Sequence, residues 1–163
     1  MTIEYEMARH AVCCLMMGKN GRILAISRGI DTASWGMPGG KVEANESLDA
    51  AVIRETFEET GLVIADPQAI YTGFVPGESN FVCTTFIARV VAQSPDAPRS
   101  VPFEGVVKWV TPSTLAHDSP FTEYNRALFD HLNILWRHED EMRVENDRLE
   151  AILAEDRRRM GQK

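Results

Sequence analysis

The chain has 163 residues and a formal net charge of −7 at pH 7, and 44% of its residues are hydrophobic and 25% charged. This length and composition predict one globular domain with a sizeable core, and the negative charge argues against broad binding to nucleic acid backbones or anionic membranes. No apolar run is long enough to span a bilayer, and no basic segment leads into an apolar one near residue 1, so we expect neither a membrane anchor nor a secretory signal.

The first part of the chain predicts a β-hairpin. Residues 8–17, ARHAVCCLMM, read as a largely buried strand, and residues 22–28, RILAISR, as the returning strand. Asn-Gly at positions 20 and 21 favours a type I′ turn, because both central residues of that turn need positive φ. Residues 29–34 are expected to form a loop and residues 35–42 a short strand.

The cysteines predict a reducing compartment. The chain has three, and two of them, Cys13 and Cys14, are adjacent, which makes a poor disulfide framework. No cysteine or histidine spacing suggests zinc. We therefore expect a cytoplasmic location.

Residues 47–60 have the composition of a helix. Neither Gly nor Pro interrupts them, and Gly61 is a suitable residue to end the helix. Asn45 or Ser47 could serve as the N-cap. The predicted apolar stripe consists of Leu48, Ala51, Val52 and Phe57.

Three carboxylates share one face of this predicted helix. Glu55, Glu58 and Glu59 stand at i, i+3 and i+4, where like charges repel one another. Arg54 can pair with Glu58, but one guanidinium does not neutralise three carboxylates. A hard divalent cation would, and clustered carboxylate oxygens suit Mg²⁺ or Mn²⁺. The alternative is a solvated acidic helix face, and the flanking residues decide between the two.

Those flanks match a family signature, G-x5-E-x7-R-E-U-x-E-E-x-G-U, in which U is a bulky apolar residue. Its fixed positions are occupied by Gly40, Glu46, Arg54, Glu55, Glu58, Glu59, Gly61 and Leu62. The chain therefore resembles the Nudix (MutT-like) hydrolases. Thr56 departs from the pattern, which usually has an aliphatic residue there, but Thr is close to Val in size and is expected to keep the packing. Residues 35–39, WGMPG, also resemble the family's usual approach to this segment.

The resemblance implies a fold and an activity. The fold would be the Nudix fold, an α/β/α sandwich with a mixed β-sheet, in residues 1–137. The activity would be Mg²⁺-dependent attack of water on a phosphoanhydride in a nucleoside diphosphate-linked compound. The W-x-M-P-G-G approach looks most like that of MutT-type (d)NTP pyrophosphatases, which release a nucleoside monophosphate and pyrophosphate. ADP-ribose or another nucleotide sugar is the alternative substrate, and a catalytically silent nucleotide-binding module is the non-enzymatic alternative.

The resemblance also implies roles for individual residues. The expected catalytic residues are Arg54, Glu55, Glu58 and Glu59, with Arg54 orienting the carboxylates and one glutamate, or a later one, acting as base. The expected metal ligands are Glu55, Glu58, Glu59, the Gly39 carbonyl and Glu104, with Mg²⁺ as the cofactor and Mn²⁺ as its alternative. The expected substrate contacts are Arg28, Gly40 and Lys41. Glu46 and Gly61 are expected to be structural.

Five elements are predicted after the motif: strands at 62–75, 81–92 and 104–110, and helices at 111–115 and 121–137. The strand at 81–92 is expected to be central, and Thr111-Pro112 fits an N-cap followed by Pro at the first helical position.

Residues 138–163 differ from the rest because more than half of them are charged. We interpret them as a C-terminal helix or tail outside the Nudix domain. Leucine or methionine recurs every seven residues at 128, 135, 142 and 149. This repeat predicts a helical arm that pairs with a second copy in a homodimer, and the alternative is an unpaired, solvated helix. A small nucleotide is the other expected partner, with no nucleic acid and no membrane.

Overall fold

The computed structural model describes residues 9–29, 31–76, 81–93, 105–137 and 139–161. Its strands are β1 Arg9–Cys14, β2 Ile23–Arg28, β3 Asp31–Gly36, β4 Gly39–Lys41, β5 Leu62–Phe74, β6 Phe81–Gln93 and β7 Val107–Val110. Its helices are α1 Leu48–Thr60, α2 Pro112–His117, α3 Thr122–His131 and α4 Glu139–Met160. None of these helices is long and apolar enough to cross a membrane.

The described strands form two sheets, with the orders β4-β1-β6-β5 and β3-β2-β7. Strand β1 runs parallel to β6, whereas β4 and β5 join the same sheet antiparallel, so this sheet is mixed as expected. The chain passes from one sheet to the other between β1 and β2, where the Leu24 N–H donates to the Met16 carbonyl at 3.0 Å. The prediction that β6 is central is confirmed, since it lies between β1 and β5.

Alternation along β1 divides the core into two layers. Val12 and Cys14 are buried in one cluster with Ala51 and Val52 of α1. Cys13 and its neighbours of the same parity are buried in another cluster, with residues of α2 and α3. Because successive side chains of a strand point to opposite faces, α1 covers one face of the sheet while α2 and α3 cover the other. The predicted α/β/α sandwich is confirmed.

The ends of α1 are fixed by specific caps. The Ser47 hydroxyl accepts a hydrogen bond from the Ala50 N–H at 3.1 Å, so Ser47 is the N-cap, while Asn45 has a φ of 64°. At the other end Gly61 has a φ of 76° and its N–H donates to the Phe57 carbonyl at 2.8 Å. Only glycine adopts this left-handed conformation without a Cβ penalty, and this conformation is consistent with the structural role predicted for Gly61.

The predicted apolar stripe of α1 is wrong at Phe57, which is 44% exposed. The buried face continues instead through Thr56 and Thr60, both of which are 0% exposed. The Thr60 hydroxyl donates to the Thr56 carbonyl at 2.6 Å, so Thr60 is buried without an unsatisfied donor. Thr56 keeps the packing of the motif, as expected.

Three local predictions before α1 are wrong. Residues 29–34 are not a simple loop, because β3 pairs antiparallel with β2 from residue 31 onward. The single strand expected at 35–42 is split into β3 and β4. Between them the Pro38 carbonyl accepts a hydrogen bond from the Cys14 N–H at 2.8 Å.

The predicted type I′ hairpin turn is also wrong. Gly21 has a φ of 73°, but Asn20 does not have positive φ. The Gly21 N–H donates to the Gly18 carbonyl at 3.1 Å.

The C-terminal prediction needs two corrections. The helix expected at 121–137 ends at His131, and Asn133 has a φ of 55°, which no helix continues through. The seven-residue repeat therefore does not lie on one helix, since Leu128 is fully buried in α3 while Leu135 is 78% exposed in the segment before α4. Helix α4 leaves Leu149, Ile152 and Leu153 about half exposed. The domain boundary at 137 and the homodimer stay predictions.

Candidate active site

Arg54 of α1 holds together three of the glutamates of the motif. Its Nε and Nη2 donate to the two carboxylate oxygens of Glu46 at 2.8 and 2.9 Å. Its Nη1 donates to Glu55 at 2.8 Å and to Glu58 at 3.2 Å. A further bond from Nη2 reaches the Lys41 carbonyl at 3.2 Å and joins the helix to β4. The planar guanidinium thus fixes the carboxylates in one arrangement, which a single-point cation such as Lys would not do.

Glu59 is placed differently from the other carboxylates of α1. Its Oε2 accepts a hydrogen bond from the backbone N–H of Gly39 at 2.8 Å. This contact fixes the start of β4 against the last turn of α1, so the Gly39 peptide and a carboxylate lie side by side. The structure thus brings Gly39 and Glu59 together through the Gly39 N–H. Metal binding by the Gly39 carbonyl and Glu59 stays a prediction.

At Gly40, strand β4 lies close to the Glu55 side chain of α1. A Cβ at this position would lie 2.5–2.6 Å from the carboxyl atoms of Glu55, so the absence of a side chain makes room for that carboxylate. Burial raises the pKa of Glu55 from its ordinary value, and the hydrogen bond from Arg54 partly offsets the effect. The ionised form of a partly buried carboxylate such as this one is stabilised by nearby cations.

The carboxyl group of Glu46 has the opposite shift. Hydrogen bonds from Arg54, and then from the Glu43 backbone N–H at 3.0 Å, lower the pKa of Glu46 from 4.5 to about 2. The hydrogen bonds that Arg54 donates, first to Glu46 and then to Glu55, raise the pKa of Arg54. Glu46 is therefore an ionised brace that holds Arg54, which is the structural role expected from the sequence.

This depressed pKa predicts a pH-dependent contribution to stability. Because the folded state binds the Glu46 proton more weakly than the unfolded state, the contribution is complete above about pH 4.5 and is lost as the pH falls toward 2. We expect the difference in free energy of unfolding between wild type and Glu46→Gln to be largest above pH 4.5 and to shrink below it. Urea unfolding at a series of pH values measures it, with the exposed Glu150→Gln as control. A difference that does not change with pH would contradict the prediction.

A cavity of about 500 Å³ lies next to this cluster, between β1, β2, β4, β6 and the start of α3. Its wall includes five residues predicted for the site: Arg28, Gly39, Gly40, Lys41 and Glu59. The Arg28 guanidinium lies over the Phe121 ring at 5.3 Å, and the Lys41 ammonium lies over the Phe81 ring at 5.7 Å. The cavity therefore combines two cations, aromatic surface and one carboxylate, in a chain whose net charge is negative.

Comparison with known proteins identifies the family. The model described as NUDIX domain matches residues 7–132, which is more than half of the chain. The chain belongs to the Nudix family. The Nudix hydrolase YvcI of Bacillus subtilis (strain 168) is 36% identical over 78 residues, which are 46% of this chain and 49% of that protein. Phosphatase NudJ of Escherichia coli (strain K12) is 27% identical over 106 residues, which are 63% of this chain and 68% of that protein.

A solved structure supports the Nudix fold. The MutT protein from Methanosarcina mazei Go1 superposes with a TM-score of 0.59 at 24% identity, and the alignment covers 81% of this chain and 96% of that one. Sequence coverage is shorter, since this chain spans 33% and 49% of the length of the two curated relatives that are 40% and 36% identical to it. The comparisons thus establish the family and the fold.

Nudix hydrolases generally use divalent metal ions, and the residues present here fit such an ion. The candidate donors are hard oxygens, the carboxylates of Glu55, Glu58 and Glu59, and the Gly39 N–H holds the last of these beside β4. Among the described residues no group of three or more His, Cys, Asp or Glu side chains is arranged so that it alone could hold a metal ion. Mg²⁺ does not need one, because it usually keeps several waters and shares its coordination with substrate phosphates.

Not all predicted site residues are part of one constellation. The wall of the cavity includes Glu59 but neither Glu55 nor Glu58, which face Arg54 instead. The prediction for Glu104 falls outside the described residues, and it stays a prediction. Arg28 lies at the end of β2 beside the cavity, where the sequence placed it.

Sequence reasoning missed the residues that α3 and β6 contribute to the Nudix cavity. Asn125 is 1% exposed, and its Nδ2 donates to the Leu115 carbonyl at 2.9 Å. Tyr124 and Cys83 line the same wall. A polar residue on the apolar side of the periodic segment 121–137 was the available signal for Asn125. No sequence signal gave its distance from the motif.

Proposed function

We propose that this Nudix protein is a Mg²⁺-dependent hydrolase of a phosphoanhydride bond in a nucleotide. One observation carries the proposal: the cavity has the carboxylate of Glu59 and the Gly39-Gly40 backbone in the same wall as Arg28 and Lys41. A cavity of about 500 Å³ is within the usual size range of small-molecule sites. Cations facing a metal-binding edge suit a polyphosphate, whose charge must be neutralised before water can attack it.

The residues around the cavity would have separate roles in the reaction. Mg²⁺, when bound by the carboxylates of Glu55, Glu58 and Glu59, would supply charge neutralisation at the phosphates. Arg54 holds Glu55 and Glu58 in place, and the Gly39 N–H holds Glu59. A glutamate of this group accepts the proton from the attacking water.

We propose a nucleoside triphosphate as the substrate, cleaved to a nucleoside monophosphate and pyrophosphate. The W-x-M-P-G-G approach to the motif and the compact domain favour this assignment. ADP-ribose or another nucleotide sugar is the alternative, and the cation pair at Arg28 and Lys41 suits either class. The intact set of motif carboxylates argues against a silent binding module. A cytoplasmic location accompanies the proposal as a prediction from the cysteine pattern.

A substrate panel tests the proposal. Purified protein would be incubated with Mg²⁺ and with canonical nucleoside triphosphates, 8-oxo-dGTP, ADP-ribose and dinucleoside polyphosphates, and the products would be separated. We expect pyrophosphate and a nucleoside monophosphate, and no turnover without a divalent cation. AMP and ribose phosphate would favour the nucleotide-sugar alternative. Thermal stabilisation by nucleotides without turnover on any substrate would favour the binding module.

The homodimer is a separate proposal about α4. Leu149, Ile152 and Leu153 lie at helical spacing and are about half exposed, so a second copy could cover them. We expect the mass in solution to fall from dimer to monomer when residues 139–163 are deleted. The described residues that line the cavity all precede this segment, so activity should be retained. A full-length monomer would reject the dimer.

A further inference from the structure

Two thiols lie together in the wall of the Nudix cavity. Cys13 of β1 and Cys83 of β6 both line it, and each is 8% exposed. The Cys83 thiol donates to the Cys13 sulfur, and the two Sγ atoms are 3.8 Å apart. The hydrolytic proposal gives neither thiol a role.

The thiol pair is held in place by two hydroxyl groups behind it. The Thr85 hydroxyl lies 3.1 Å from the Cys13 sulfur and 2.7 Å from the Tyr124 hydroxyl. The Tyr124 hydroxyl in turn donates to the Cys83 carbonyl at 3.1 Å. Such hydrogen bonds orient soft ligands in the way that outer-shell groups orient the ligands of metal sites.

The register of the two strands disfavours a direct disulfide. Cys13 pairs with Thr85 in the parallel ladder, so Cys83 lies two residues back along β6. With strands 4.8 Å apart and a rise of 3.3 Å per residue, the two Cα atoms of the cysteines are about 8 Å apart. Disulfides need less than about 7 Å, so a bond between the sulfurs would require the backbone to move.

The distance between the sulfurs instead suits a shared soft cation. Two thiolates bound tetrahedrally at about 2.3 Å from one Zn²⁺ have sulfurs about 3.8 Å apart, which is the separation between Cys13 and Cys83. The open side of the pair faces the cavity, from which water or another ligand can complete the coordination. We propose that Cys13 and Cys83 bind one thiophilic divalent cation of the Zn²⁺ or Cd²⁺ class.

Binding there would block the cavity. Cys13 is the Cα partner of Gly39 in the β1–β4 ladder, and both residues line the cavity with Glu59. A cation on the thiol pair therefore occupies space next to the start of the catalytic motif. Inhibition rests on the proposed hydrolytic function, whereas binding of the cation does not.

The first test is direct binding of Cd²⁺ to the full chain, with a non-thiol reductant and saturating Mg²⁺ to keep the carboxylates occupied. We expect ultraviolet thiolate-to-cadmium absorbance with one Cd²⁺ per chain. Cys13→Ala and Cys83→Ala should each weaken binding by more than about tenfold, since even outer-shell changes cost metal sites about 10–100-fold. Cys14→Ala is the matched control, because Cys14 is buried in the opposite layer and should leave the absorbance unchanged.

A second measurement needs no variant. Alkylation of the wild-type chain with and without Cd²⁺, followed by peptide mapping, should show protection of Cys13 and Cys83 and none of Cys14. Cd²⁺ binding without the absorbance, or with Cys13 and Cys83 still reactive, would overturn the proposal. If substrate is turned over, Cd²⁺ should inhibit wild type and Cys14→Ala more strongly than Cys83→Ala, and equal inhibition of all three would overturn the blocking role. Absence of turnover would reject the hydrolase but leave the absorbance test valid.

Discussion

Replacing Glu59 by Gln should lower kcat by about 10²–10³-fold while the protein stays folded. Gln has the same length and keeps a carbonyl oxygen that can accept from the Gly39 N–H, which Glu59 now does at 2.8 Å. What it lacks is the negative charge that faces the cavity. The steady-state rate on the best substrate of the panel measures the loss, with thermal unfolding as the check on folding.

A matched variant distinguishes an effect of the Glu59 charge from an effect of the protein's net charge. Glu150→Gln removes one carboxylate from the exposed surface of α4 and should leave the rate unchanged, with a stability change within about 0.5 kcal/mol. Near wild-type turnover in Glu59→Gln would remove this residue from the catalytic group. Equal losses in both variants would point to an effect of net charge.

Replacement of the adjacent glycines Gly39 and Gly40 by Ala should impair different properties of the protein: stability for Gly39→Ala and activity for Gly40→Ala. The three atoms nearest to a Cβ on Gly40 all belong to the carboxylate of Glu55, at 2.5–2.6 Å, and this group can move because it ends a flexible side chain. We expect Gly40→Ala to stay folded and to lose about 10²-fold in rate, since a displacement of about 1 Å at a catalytic group costs that much. A Cβ on Gly39 meets the Val12 carbonyl oxygen, and that backbone cannot yield cheaply. Gly39→Ala should therefore lose about 1–3 kcal/mol of stability.

Thermal or urea unfolding together with kcat on the same preparations tests this contrast. Neither glycine has positive φ, so backbone strain does not enter the comparison. Gly161→Ala is the control, because a Cβ there has no neighbour closer than 3.4 Å. Loss of stability in Gly40→Ala with activity retained would show that Glu55 does not depend on the space beside Gly40.

The contacts within the motif could be predicted because they join residues that are close in sequence. Arg54 and Glu58 stand four residues apart on one helix, so spacing alone predicts that they meet. The contact between the adjacent residues Arg54 and Glu55 does not follow from that rule. The Ser47 and Gly61 caps follow from the same local geometry, as does the burial of Ala51 and Val52. Phe57 was misread because the helix buries the side on which Thr56 and Thr60 pack, and the direction of that side is set by β1 and β5.

Which strands pair with each other could not be predicted from the sequence in the same way. Nothing local distinguishes residues 31–36 from a loop, and they become β3 only because β2 is available to pair with them. The heptad from Leu128 to Leu149 looked continuous, yet the chain leaves the helical conformation at Asn133. In both cases the deciding hydrogen bonds or turns are not encoded in hydrophobic spacing.

The sequence by itself determined the family, through its motif, and also the helix on which three glutamates of the motif share one face, because a helix brings residues three and four apart to one face whatever surrounds it. The tertiary structure decided which residues share the cavity. Asn125, Cys13 and Cys83 come from three elements far apart along the chain, and only the pairing of β1 with β6 and the packing of α3 bring them together. Long-range contacts depend on global packing, and no local spacing rule fixes them.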